Sequence, residues 1–289
     1  MRDRMYGAYL EYFEVAECKR RWNTFEDVPW DRLDPSLNSE RKATRIETYC
    51  AEELYLPDYT AGGVPLTRPI FGAAWFQACW SYEESKHGLV FREYLTRSGM
   101  RSARQFAQFE ASVYASKWNL PFPTRRQMAC YGALQEAATF LAYKTQKDLA
   151  IVEGDQVLEA IFGLVSRDEA AHASFYRTMT RMELEEDRPG TLADLAFVVA
   201  RFRMPGEGLI PRYQERLRES GAGISTRVFV ERALLPMLKS WEPTAPNSRP
   251  RPCQSKPKRL WITPPRARSR TEFLTLSAGP CCEARFFRG

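Results

Sequence analysis

The chain has 289 residues, 44% of them apolar, a formal net charge of +6 and seven cysteines. That length and apolar content suffice for one large domain or two small ones. An odd cysteine count without a C-x-x-C pair argues against a disulfide framework and a thiolate zinc site, and no run of about 18 uncharged apolar residues is present to span a membrane.

The start of the chain, Met1 to Gly7, lacks the apolar stretch of a secretion signal, so a cytoplasmic location is expected. The basic charge is confined to one end. Residues 241–289 hold 10 Lys/Arg against 3 Asp/Glu, which leaves 32 basic and 33 acidic residues before them, a net of −1. Neither a nucleic-acid partner nor stable insertion into a membrane is therefore expected.

Helical periodicity dominates residues 1–240, with no convincing alternating strand. Helices are expected at 3–20 and 38–60. Thr67-Arg68-Pro69 reads as a cap with proline in the first turn of a helix that runs to about Arg97, ended by Ser98-Gly99. A short helix follows at 101–117. A long one starts at Thr124, after Pro121-Phe122-Pro123, and stops at Gly154. Asp155 caps the next, which continues to about Met182, and shorter helices are expected at 192–203 and 224–239. From residue 241 the chain holds 8 of its 19 prolines and loses all period, so 241–289 reads as a disordered basic tail whose composition breaks with the domain at 1–240.

Long helices with short connections make an all-α bundle of antiparallel helices, accompanied by the shorter ones. Within it the only two histidines, His87 and His172, each close the word Glu-x-x-His, as Glu84-x-x-His87 and Glu169-x-x-His172. Residues three apart share a helix face, so each word aims a carboxylate and an imidazole at one point. A di-metal bundle needs one further glutamate from each of two other helices. Glu136 qualifies, because it sits in an otherwise apolar helical face where an unpaired carboxylate would be costly. Glu52 and Glu53 compete for the other place. Taking Glu53 gives gaps of 31 and 33 residues within the two halves, so the chain reads as a duplicated hairpin of a Glu helix and a Glu-x-x-His helix.

In that order the words resemble the soluble acyl-acyl-carrier-protein desaturases, a ferritin-like di-iron family. Glu52-Glu53-x-x-Leu56-Pro57-x-Tyr59 is similar to the family's first-ligand helix and Trp80-x-x-Glu83-Glu84-x-x-His87-Gly88 to its second. Gln135-Glu136-x-Ala138-Thr139 and Asp168-Glu169-x-x-His172-x-x-x-Tyr176 are similar to the third and fourth. The likeness covers roughly residues 8–240, and counting back from Pro57 favours Glu53.

The resemblance implies two iron ions, with Glu84 and Glu169 bridging, Glu53 and Glu136 each chelating one, and His87 and His172 completing the shells. It implies Thr139 as a proton-handling hydroxyl and Asp168 as a residue that orients an imidazole or feeds an electron path. The implied reaction places a double bond in a long saturated acyl chain on acyl-carrier protein, using dioxygen and electrons from a ferredoxin-like donor, in a homodimer. The alternatives are another di-iron oxygenase or radical-generating protein, or an inactive homologue. Trp75, Trp80 and Tyr176 read as core aromatics, and Arg41, Lys42, Arg45, Arg92 and Arg97 as candidates to meet an acidic carrier protein.

Overall fold

The structure is a computed structural model that describes residues 1–242. The expected tail falls almost wholly outside the described residues, together with Cys253, Cys281 and Cys282. Contacts group Met1–Pro243 into one unit. Trp241, placed in the tail by its sequence, is buried and bonds through its indole to the carbonyl of Arg177.

Among the described residues there is no strand. Helix α1 spans Arg2–Val15 and passes into a π turn at Ala16–Arg20. The expected helix over 38–60 is two helices, α2 (Glu40–Leu54), capped by Ser39, and α3 (Leu56–Thr67). Pro57 fits the break: in the first turn of α3 its missing N–H would have no helical partner in any case, whereas in a continued α2 it would forfeit the bond to the Glu53 carbonyl. Thr67 therefore ends α3 and does not cap the next helix, α4 (Phe71–Arg97), which starts after Ile70.

Helix α5 (Ala103–Tyr114) carries a capping box from Ser102 and Gln105. Helix α6 (Arg125–Glu153) is capped by Thr124 and stopped by Gly154 at φ 72°, and Asp155 caps α7 (Gln156–Glu186), as expected. Helix α8 is Arg188–Ala200, with Pro189 in its first turn. Helix α9 (Tyr213–Ser220) was not expected, and the expected helix at 224–239 comprises α10 (Thr226–Phe229), a π turn and α11 (Leu235–Ser240).

Helices α4, α6 and α7, of 27, 29 and 31 residues, are each about 40 Å long or more. With α2 they form two packed pairs, α2 on α4 and α6 on α7, which meet through α4 and α7. The apolar core is split along each long helix. Phe76, Leu134 and Phe175 belong to one cluster, and Phe91, Tyr143 and Ile161 to another. On α4, α6 and α7 the segment between the two clusters carries Glu84 and His87, Glu136, and Glu169 and His172. The bundle thus holds a polar layer between two apolar ones.

Candidate metal centre

That layer brings all six expected residues together. Glu53 comes from the last turn of α2, Glu84 and His87 from α4, Glu136 from α6, and Glu169 and His172 from α7. All are buried, and both imidazoles are 0% exposed. Ligand atoms of Glu53, Glu84, His87 and Glu169 lie within 4.8 Å of one another, as do those of Glu84, Glu136, Glu169 and His172. The two groups share Glu84 and Glu169. His87 Nδ1 is 3.2 Å from both Glu84 Oε2 and Glu169 Oε1. His172 Nδ1 is 2.9 Å from Glu84 Oε1 and 3.6 Å from Glu169 Oε2. Glu52 joins neither group; it turns away and accepts a hydrogen bond from Tyr213.

The donor set fits metal ions. Glu84 Oε1, Glu136 Oε2, Glu169 Oε2 and His172 Nδ1 are buried and make no hydrogen bond, the 2.9 Å approach of His172 Nδ1 to Glu84 Oε1 lacking the geometry of one, and all four belong to one of the two groups. Buried polar atoms are ordinarily paired, so four orphans converging on one point call for a cation. Electrostatics agrees. Burial, and then the neighbouring Glu84 carboxylate, holds Glu53 well above the usual carboxylate range. Burial and Glu169 do the same to Glu136. Carboxylates and imidazoles together suit a first-row transition metal, and a pair of ions would share Glu84 and Glu169.

Each imidazole is held from behind by the acid that precedes the opposite word. His172 Nε2 lies 2.9 Å from Glu83 Oε2, and His87 Nε2 lies 3.4 Å from Asp168 Oδ2. Arg20 ties the two acids, with Nη1 2.7 Å from Asp168 Oδ1 and Nη2 3.0 Å from Glu83 Oε1. Trp22 Nε1 donates to Asp168 Oδ2 over 2.7 Å, while Tyr12 and Arg21 donate to Glu83. Asp168 is therefore placed to position an imidazole. Sequence reasoning quoted Glu83 only as a motif position without a role, and missed Tyr12, Arg20 and Trp22. One signal was available: each word is preceded by a second acid, Glu83-Glu84 and Asp168-Glu169.

Two ligands have aromatic partners. Trp80 Nε1 donates to Glu136 Oε1 over 3.0 Å, and the Tyr143 hydroxyl donates to Glu53. Thr139 lies on the Glu136 face, but its hydroxyl donates to the Gln135 carbonyl 3.1 Å away, as helical threonines commonly do. Trp80 and Tyr176 are buried, whereas Trp75 is 53% exposed and is not a core residue. Lys42 and Arg45 are also misjudged by sequence: both are buried and paired, with Asp155 and Glu153, and so are unavailable to a partner.

A cavity touches Glu84, Glu136 and Glu169 and is otherwise walled mostly by apolar and aromatic groups such as Leu66, Trp118, Met128 and Met179. Among the described residues no helix is long and apolar enough to cross a membrane.

The bundle and its donor set are those of the ferritin-like class of carboxylate-rich di-metal proteins. A model of the fatty acid desaturase family matches residues 66–244, more than half of the chain, and the chain belongs to that family. It is 28% identical to the stearoyl-[acyl-carrier-protein] 9-desaturase 4 of Arabidopsis thaliana over 80% of this chain and 58% of the relative. It is 29% identical to the palmitoyl-[acyl-carrier-protein] 4-desaturase 2 of Ophrys arachnitiformis subsp. archipelagi, over 75% of this chain and 56% of the relative. The chain thus spans somewhat more than half the length of these curated relatives. In fold it is similar to the putative acyl-ACP desaturase DesA2 from Mycobacterium tuberculosis H37Rv, with a TM-score of 0.56 at 19% identity, covering 82% of this chain and 97% of that one. It is also similar to the R2-like ligand-binding oxidase from Sulfolobus acidocaldarius, with a TM-score of 0.51 at 14% identity, covering 80% of this chain and 88% of that one.

Proposed function

We propose that the protein is an acyl-acyl-carrier-protein desaturase that uses two iron ions, bound by Glu53, Glu84, His87, Glu136, Glu169 and His172. The observation that carries this reading is the pair of overlapping donor groups, joined by Glu84 and Glu169 and facing an apolar cavity. A saturated acyl methylene has no acidic proton and no leaving group, so side-chain acid-base chemistry alone cannot act on it. Iron held by this donor set supplies the activation of dioxygen that such a carbon requires. In balance, a CH2–CH2 unit, one O2, two electrons and two protons give a CH=CH unit and two waters.

The chain's own residues do the rest. Glu83 and Asp168 fix the ring orientation of His172 and His87 and raise their basicity as ligands. The walls of the cavity exclude water and hold an acyl chain against the carboxylate layer. Thr139, on that wall, is the residue proposed to handle protons, and the bonded series Trp22, Asp168, His87 is the route proposed for electrons. A ferredoxin-like donor, acyl-carrier protein as carrier, a homodimer and a cytoplasmic location belong to the same proposal.

The test is anaerobic iron loading, then reaction with stearoyl- and palmitoyl-carrier protein, ferredoxin and its reductase, with products read by mass spectrometry. Two irons per chain and an unsaturated product are expected; absence of both would remove the reading. A second reading, a di-iron oxygenase or radical generator, is favoured by one observation, the hydrogen bond from buried Tyr143 to Glu53. Oxygen uptake with a tyrosyl electron-spin signal lost in Tyr143→Phe, and no unsaturated product, would select it.

A further inference from the structure

A second cavity adjoins the first. It is bounded by α6, by the segment that carries Val199, Phe202 and Met204, and by the residues from Tyr213 to Leu234. The two cavities differ in size and in chemistry. The one that touches the site carboxylates holds only about 70 Å³, well below the roughly 300–1,000 Å³ of ordinary ligand pockets. The second holds about 430 Å³, and apart from Glu52, Thr139 and a few other polar groups its wall is aliphatic and aromatic. Glu52 and Thr139 line both cavities, so the two meet at one place beside the carboxylate layer.

At that place Glu52, which lines both cavities, is bonded to Tyr213, which lines the second. The Tyr213 hydroxyl donates to Glu52 Oε1, and both residues are buried. Tyr213 is held from two sides. The residue before it, Arg212, is the only non-glycine at positive φ among the described residues, at 57°. On the other side its ring lies so close to Gly206 that a Cβ there would come within 2.6 Å of Tyr213 Cε2. Neither Glu52 nor Tyr213 belongs to the two donor groups. The six proposed ligands leave this buried carboxyl–phenol pair on an otherwise mostly apolar wall unexplained.

We propose that the two cavities are the halves of one acyl tunnel and that the Glu52–Tyr213 pair is its gate, so that this pair determines which chains reach across the site. This rests on the desaturase reading and adds to it the residues that set chain-length preference. A long acyl chain does not fit in the cavity at the carboxylates alone and must extend into the second, passing Thr139 and displacing the hydrogen bond. A short chain stays on one side.

The test measures affinity for octanoyl- and stearoyl-carrier protein by equilibrium binding, in the metal-free and iron-loaded protein, so that no turnover is needed. Tyr213→Phe removes the latch and keeps the ring, and is expected to raise the stearoyl-to-octanoyl affinity ratio at least fivefold. Ala142→Phe fills the second cavity from the α6 side, away from the donor groups, and is expected to lower that ratio at least tenfold. The double variant should follow Ala142→Phe, because opening a gate gains nothing when the space behind it is filled. A ratio unmoved in Tyr213→Phe removes the gate, and a ratio unmoved in Ala142→Phe removes the tunnel; either overturns the proposal while leaving the desaturase reading intact. Binding of neither acyl-carrier protein by the wild-type chain overturns both.

Discussion

Glu83 Oε2 lies 2.9 Å from Nε2 of His172, a residue 89 positions away on another helix. The acid that precedes one Glu-x-x-His word thus supports the imidazole of the other, and Asp168 returns the contact to His87. The duplicated halves are crossed, so neither imidazole is oriented by its own helix alone. Arg20, reaching in from the end of the first helical segment, pairs with both acids and ties the crossed supports together.

Glu83→Gln and Asp168→Asn should therefore weaken metal binding without removing a ligand. Loss of an outer partner to a metal-bound histidine commonly costs 10- to 100-fold in affinity. Each variant keeps an acceptor oxygen for Arg20 but removes one of its two buried counter-charges, which should cost roughly 1–3 kcal/mol of stability. Metal titration calorimetry beside urea denaturation separates the two effects; metal affinity equal to that of the wild type would refute the support role.

Removing a shared donor should differ from removing an unshared one. Glu84 contributes to both donor groups and Glu136 to one. Glu84→Gln is expected to abolish binding of both ions, and Glu136→Gln to leave about one ion per chain. Elemental analysis of the dialysed proteins reads the stoichiometry, and equal losses in the two variants would contradict the sharing.

Metal loading should stabilise the fold measurably. Burial, with repulsion from Glu84 at Glu53 and from Glu169 at Glu136, holds both carboxyls well above their ordinary range, an unfavourable state that a cation relieves. Binding at a metal concentration 100 times Kd contributes about 2.7 kcal/mol to the folded state. Calorimetric melts with ferrous ion and with a chelator should therefore differ, the chelated protein unfolding at the lower temperature. Coincident melts would mean that the site is not loaded.

Two glycines should respond in opposite directions to alanine. At Gly72 a Cβ would stand 2.4 Å from the Met5 carbonyl oxygen, a backbone atom that can yield only if α1 moves off α4. Gly72→Ala should cost roughly 1–3 kcal/mol or more, as overpacking does. Gly7 lies inside α1 with nothing within 4 Å of its would-be Cβ. Gly7→Ala should stabilise by roughly 0.5–1 kcal/mol, the ordinary difference in helix propensity. Melts of the two variants test the packing of α1 directly.

Much of this was legible because it is local. The Thr124, Gly154 and Asp155 signals fix their helix ends through bonds within four residues, and the Glu-x-x-His spacing places a carboxylate and an imidazole on one face whatever surrounds them. The break at Tyr55 went unread because Pro57 suits both the end of one helix and the start of another. Helix α9, which has only eight residues, gave no periodic signal of its own. Trp75 was misjudged because aromatic residues at helical spacing fit a core face, while the packing of α1 and α4 leaves this one 53% exposed.

By itself the sequence determined an all-α bundle and six candidate donors in two repeated halves, since helix period and cap chemistry are properties of neighbouring residues. Only the tertiary structure decided that Glu53 and not Glu52 faces the donors, and that Glu83 and Asp168 serve each other's histidines. It alone showed that Glu52 lines two adjoining cavities and that its partner Tyr213 lines the second. The reason is physical: adjacent glutamates on a helix point about 100° apart, and which one looks inward depends on how the helices pack, a relation between residues far apart in the chain.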